Sequence, residues 1–169
     1  LVERFIEGRE VTLGCTGNLL PPVARRLPDD TDAPRVTQGL QFLPVLEVNF
    51  REYPESESGI YTNRIKTEWA HDFHFLCPAP ISDVLHDELE WLAAAVFRTT
   101  GCSDVARVDF RLDASDGDKP YILEVNPLPG LNPDVSDLVL EARAGGVEYV
   151  ELIDRILRSA CMRYGLDAG

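Results

Sequence analysis

The stretch from Ala106 to Asn126 constrains this chain most. ARVDFRL and PYILEVN alternate apolar and polar residues on either side of DASDGDK, and Asp-Gly between two such runs is a strong hairpin signal. With Asp116 and Gly117 as the central residues of a type I′ turn, Asp109 comes opposite Glu124 and Arg107 opposite Asn126. Strand side chains alternate between faces. Arg107, Asp109 and Arg111 therefore share a face with Ile122, Glu124 and Asn126, while Ala106, Val108, Phe110 and Leu112 point the other way with Tyr121, Leu123 and Val125. Opposed side chains have Cβ atoms about 5 Å apart. Two carboxylates so placed repel unless a cation lies between them or one is protonated. Two carboxylates and a carboxamide oxygen form a hard-oxygen set suited to Mg²⁺ or Mn²⁺, and Arg107 adds a fixed positive charge for a developing anion. The pattern alone equally allows a half-buried hairpin whose polar face is simply solvated.

A chain of 169 residues with 44% hydrophobic content supports a real core, in one domain or two small packed subdomains. The formal net charge of −13 argues against a phosphate-backbone binder. No run approaches the length of a membrane span and no signal peptide is visible, so a cytoplasmic protein is expected. Cys15, Cys77, Cys102 and Cys161 form no CxxC pair and read as reduced thiols. Leu1 falls inside an apparent strand, as in a piece of something longer.

Along the chain, LVERFI and EVTLGCT predict a hairpin about Glu7-Gly8. Residues 21–60 are rich in Pro, Asp and Glu and hold one strand, Leu43 to Phe50. A helix runs from Ser82, a good N-cap, to Gly101, with Leu85, Leu89, Leu92, Val96 and Phe97 at helical spacing. A short helix follows from about Val135 to Ala144, and an amphipathic one through VEYVELIDRILRSACMRYG. These elements predict an α+β fold, a mostly antiparallel sheet with helices packed on one side, rather than a doubly wound one. His71 and His74 read as ordinary loop histidines, and Trp69 and Trp91 as packing residues.

The runs LVERFIEGREVT, CPAP, ARVDFRLDASDG and YILEVNPLPGLNP, followed by a Gly-Gly-x-x-Tyr-x-x-Leu-Ile-Asp helix, resemble the C-terminal half of the D-alanine–D-alanine ligase family, within the ATP-grasp fold. The resemblance covers residues 1–169 as one C-terminal portion, with 21–60 poorly matched, and makes a merely solvated face at Glu124 and Asn126 a poor reading. It implies ATP and two Mg²⁺ (or Mn²⁺) ions as cofactors. It further implies that Glu3 accepts from the adenine amino group, that the Arg4 and Ile6 backbone forms the purine slot, and that Glu10 holds the ribose hydroxyls. Lys66 reaches the phosphates, Asp109, Glu124 and Asn126 hold the metals with Glu124 as the bridge, and Arg107 stabilises an acyl phosphate and a tetrahedral intermediate. Gly130, after Pro129, allows close backbone approach, so that following N–H groups meet the second substrate.

The implied reaction moves the γ-phosphoryl of ATP to a carboxylate, and an amine then attacks the mixed anhydride; positioning and charge neutralisation dominate such chemistry. The implied partners are amino acids or small peptides and the upstream part of the same enzyme, with neither nucleic acid nor membrane; a homodimer is allowed. The chain alone is expected to have no ligase turnover. It departs from the family at Pro127 and after Gly130, where Leu131-Asn132-Pro133-Asp134-Val135-Ser136 puts the serine one position late, which leaves the acceptor open. Two further readings stay beside the ligase: a non-catalytic nucleotide or divalent-cation binding module, and a plain α+β interaction domain.

Overall fold

The computed structural model describes residues 4–19, 37–48 and 75–166. Its central strand is β1 (Gly8–Gly17), which pairs antiparallel with β5 (Asp104–Asp113) from Gly8↔Asp113 to Gly17↔Asp104. The other edge of β1 takes β2 (Leu40–Phe42) near its end and β3 (Leu46–Val48) near its start. Outside these lie β4 (Phe75–Leu76), paired with β3, and β6 (Lys119–Asn126), paired with β5. Every pairing among the described strands is antiparallel, as expected.

Alternation along β1 and β5 divides the sheet into two unlike faces. Val11, Leu13, Val108, Phe110 and Leu112 are fully buried against Leu89 and Ala93 of α1 (Asp83–Thr100). Each such side chain contributes about 1.5–3 kcal/mol by leaving water. The helices are distributed: α1 covers this apolar face, while α2 (Asp137–Ala144) and α3 (Tyr149–Tyr164) bury Leu138, Val139, Ala142 and Leu152 with Leu43 and Val105. The rest of that second face carries polar side chains.

Both ends of α1 fall where the sequence puts them. Ser82 Oγ accepts from the Leu85 N–H at 3.2 Å, and Gly101 closes the helix in the left-handed region at φ 70°. Ser82→Ala is expected to lower stability by about 1 kcal/mol in urea denaturation, the usual worth of an N-cap. Trp91, expected to pack, is 47% exposed on this helix.

Three local expectations are corrected. Residues 4–7 form no strand, so the hairpin about Glu7-Gly8 is absent among the described residues. β5 and β3 occupy both edges of β1 along Glu10–Thr12, leaving no edge there for residues 4–6; residues 1–3 lie outside the described residues. Of the strand expected from Leu43 to Phe50, the described residues are strand only at Leu46–Val48, with Leu40–Phe42 a separate strand before Pro44 and residues 49–50 outside the described residues. Finally, the β5–β6 connection is longer than two residues: a 3₁₀ turn at Ala114–Asp116 precedes positive φ at Gly117 and Asp118, 65° and 64°. Asp113 pairs with Lys119, one step off the predicted register, but a bulge at Leu123 restores it, so Asp109 does face Glu124 and Arg107 does face Asn126. The bulge also turns Tyr121 toward the Arg111 side and Ile122 toward the Phe110 side, the reverse of simple alternation.

Candidate functional site

On the polar face β5 presents Arg107 and Asp109, each 8% exposed. The guanidinium grips Asp109 in a fork, Nε to Oδ1 and Nη2 to Oδ2 both at 2.8 Å. Its third nitrogen, Nη1, lies 3.0 Å from Asp137 Oδ2 in the first turn of α2. Thr12, opposite Asp109 on β1, donates its hydroxyl to Asp109 Oδ1 at 2.7 Å. Burial pushes the Asp109 carboxyl up, but the Arg107 hydrogen bonds and charge outweigh it and hold the group below the usual carboxylate range. Burial likewise opposes the Arg107 charge, yet Asp109 and Asp137 keep it firmly protonated.

β6 brings in the other two predicted ligands. Asn126 Nδ2 lies 3.2 Å from Asp109 Oδ2 and 3.2 Å from Glu124 Oε1. One amide nitrogen thus sits between two carboxylates, where its hydrogens answer both negative charges. A half-turn of the amide puts Oδ1 at that point instead, and the two carboxylates and the amide oxygen then face a single position. That donor set fits a hard divalent cation, and Glu124, exposed on the outer strand, leaves room for ion-bound water or phosphate oxygens. Among the described residues no three acidic, His or Cys side chains converge on one point, so the carboxamide is integral to this set.

Glu10 extends the site along β1, two positions from Thr12 on the same face and 3.4 Å from Arg111 Nη1 through Oε2. A narrow cleft of about 10 Å³ is lined by Glu10, Thr12, Val48, Asp109 and Asp137. Arg4 stands at the far end of β5, exposed and 3.9 Å from Asp113, and Ile6 is half-buried beside the start of β1. Glu3 and Lys66 lie outside the described residues, as do His71, His74 and Trp69. After Gly130, two backbone N–H groups are taken up within the turn itself. An added Cβ at Gly130 would meet Ser136 Oγ at 2.8 Å, and that hydroxyl accepts from the Asn132 N–H at 2.8 Å. The Asp134 N–H donates to Asn132 Oδ1 at 2.9 Å.

Sequence reasoning missed Thr12, Asp137 and Glu141. Glu141 is completely buried; Oε2 accepts the Gly14 N–H at 2.7 Å and Oε1 has no partner. Burial pushes its carboxyl well above the usual range, although Arg107 works against this. The available signal was spacing, since Asp137 and Glu141, four apart, share a helix face. Gly14 belongs to the same arrangement, because a Cβ there would lie 2.3 Å from Glu141 Oε2 and 2.4 Å from Leu138. Gly14→Ala is therefore expected to cost about 1–3 kcal/mol by overpacking, read from the urea midpoint.

The raised Glu141 pKa has a definite sign. The folded chain holds this proton where the unfolded one has released it, so its contribution to stability falls as pH rises above the ordinary value of 4.5. Glu141→Gln keeps the shape without the ionisation. Its stability relative to the parent chain should rise with pH from about 4.5 upward in pH-stepped urea unfolding; a flat difference would contradict the buried neutral carboxyl.

Comparison with known proteins decides the family. A family model described as the D-ala D-ala ligase C-terminus matches residues 41–158. The chain belongs to the D-alanine–D-alanine ligase family. A D-alanine–D-alanine ligase of Herminiimonas arsenicoxydans is 31% identical over 95% of this chain and 40% of its own length. An uncharacterized protein of Sinorhizobium fredii is 35% identical over 97% of the chain and 41% of its own length. The chain thus spans about two fifths of the curated relatives it matches. The fold agrees: the Bacillus anthracis D-alanine–D-alanine ligase crystallised with ATP superposes with a TM-score of 0.64 at 21% identity, covering 96% of this chain and 41% of that one. In this chain the Asp109, Glu124, Asn126 and Arg107 constellation occupies the polar face of the sheet.

Proposed function

We propose that this chain is the nucleotide- and metal-binding portion of an ATP-dependent carboxylate-amine ligase. The observation that carries this reading is the convergence of Asp109 Oδ2 and Glu124 Oε1 on the Asn126 amide, beside a guanidinium already fixed in place. Family membership supports it. Asp109, Glu124 and Asn126 would hold Mg²⁺ or Mn²⁺, two ions with Glu124 between them, and the metal would neutralise phosphate charge during transfer.

The chain's own residues prepare that reaction. Thr12 and Arg107 keep Asp109 ionised and correctly turned, so it is ready to face a cation without first losing a proton. Arg107, clamped by Asp109 and Asp137, offers a pre-oriented positive charge to an acyl phosphate and to the oxyanion formed when the amine attacks. Glu10 would meet the ribose hydroxyls, and Glu3, Lys66 and the Arg4–Ile6 backbone would complete the nucleotide contacts. Gly130 and the turn after it shape the acceptor side. The substrates are an amino acid or small peptide on each side of the new bond, and the location is the cytoplasm. No helix among the described residues is long and apolar enough to cross a membrane.

The test is a screen of amino-acid pairs for ATP-dependent phosphate release by the whole protein that carries this chain. Release that requires both a carboxylate donor and an amine acceptor is expected. The 169-residue chain alone should show none, and steady release by it would contradict its assignment as a portion of the enzyme. Failure of every pair, with Mg²⁺-dependent ADP binding intact, would make it a nucleotide-binding module.

A further inference from the structure

Where the end of β1 and the start of β5 meet the last turns of α1 and α3, the chain forms an open cavity of about 960 Å³. None of its lining residues belongs to the metal and nucleotide set. Its walls are largely apolar, with Leu19, Phe97 and Met162 among them. Its charge is one-sided: Arg98, Arg155, Arg158 and Arg163 line it, and no Asp or Glu does among the described residues. Four of the chain's 16 basic residues therefore gather at one cavity in a molecule of net charge −13.

Three of these guanidiniums are held from outside the cavity. Arg155 pairs with Glu151, Arg158 with Asp154 and Arg163 with Asp104. Each guanidinium carries five donors, and Arg158 spends only Nε on its partner. Arg98 has no ion-pair partner among the described residues. An independent feature borders the same space. Thr16 lines the cavity, is 1% exposed, and its hydroxyl has no hydrogen-bond partner. Buried hydroxyls almost always have one, so this group marks a place where a partner is missing.

We propose that this cavity binds a small organic anion with an apolar body, such as an aryl or branched aliphatic carboxylate. Phe97, Leu19 and Met162 enclose the body, Arg98 and the neighbouring guanidiniums receive the negative group, and the Thr16 hydroxyl makes the buried hydrogen bond. An inorganic anion would leave the apolar walls wet, and a neutral ligand would leave Arg98 unanswered. A mostly apolar cavity of this size with a few convergent polar groups is the usual form of a small-molecule site.

Two dyes with the same aromatic body test this in the purified protein. 1-Anilinonaphthalene-8-sulfonate, the anion, should bind at one saturable site, and neutral N-phenyl-1-naphthylamine at least about tenfold more weakly, since a charged hydrogen bond is worth about that factor. Arg98→Ala and Thr16→Val should each weaken the sulfonate about tenfold, and Arg98→Ala should leave the neutral dye unchanged. Arg98 is on the helix surface, so its removal does not threaten folding. Excess Mg²⁺-ADP should not displace the dye. Lack of saturable binding, equal affinity for the neutral dye, indifference to both substitutions, or displacement by Mg²⁺-ADP would each overturn the proposal.

Discussion

Arg107→Met is expected to destabilise the fold by about 3–5 kcal/mol, because removing one partner of a buried ion pair leaves charge uncompensated. Two carboxylates are affected, Asp109 and Asp137, both buried and both currently bonded to this guanidinium. The pH dependence separates this cause from simple loss of packing. In the parent chain the Asp109 pKa is depressed below the ordinary 3.8, so its stabilising contribution is present above that value and lost as pH falls through the folded one. In Arg107→Met the carboxyls should take up protons at higher pH. The stability gap between the two chains is then largest near neutrality and shrinks toward pH 4, as urea unfolding at stepped pH would record. Adding Asp137→Asn should recover part of the loss, while a gap independent of pH would contradict the electrostatic account.

The second large effect is functional. Glu124→Ala should abolish Mg²⁺-dependent ADP binding, by about a hundredfold or more, because even outer-shell partners of a metal cost 10–100-fold. Glu124 is exposed, so the fold should change by less than about 0.5 kcal/mol. Calorimetry with ADP, with and without Mg²⁺, reads the first quantity, and a denaturation curve the second. Unchanged binding in a stably folded variant would count against Glu124 as a ligand.

The legible parts of this molecule were those governed by local chemistry. Ser82 and Gly101 mark α1 because a hydroxyl cap and a left-handed glycine are written in the residues themselves. The Asp109–Glu124 pairing came out right for a less secure reason: the register beside the turn was one step off, with Asp113 opposite Lys119 rather than Pro120, and the bulge at Leu123 was unseen, and the two offsets cancelled. Asp-Gly signals a turn but does not fix loop length, and a bulge depends on how an outer strand twists away from its neighbour. The absent hairpin about Glu7-Gly8 shows the opposite failure, in which good local turn chemistry lost to long-range pairing that had already filled both edges of β1. Asp137 and Glu141 were missed because their partners, Arg107 and Gly14, come from strands more than 25 residues away in sequence. Only packing α2 on the polar face brings them together.

The central claim is that a divalent cation belongs where Asp109, Glu124 and Asn126 converge. Crystals of the protein grown with Mn²⁺ and ADP, measured for anomalous scattering, test it directly. A peak bonded to oxygens of Asp109 and Glu124, with the Asn126 amide turned to present Oδ1, is the predicted result. An empty gap there, with Asn126 still donating to both carboxylates while manganese scatters elsewhere, would contradict it.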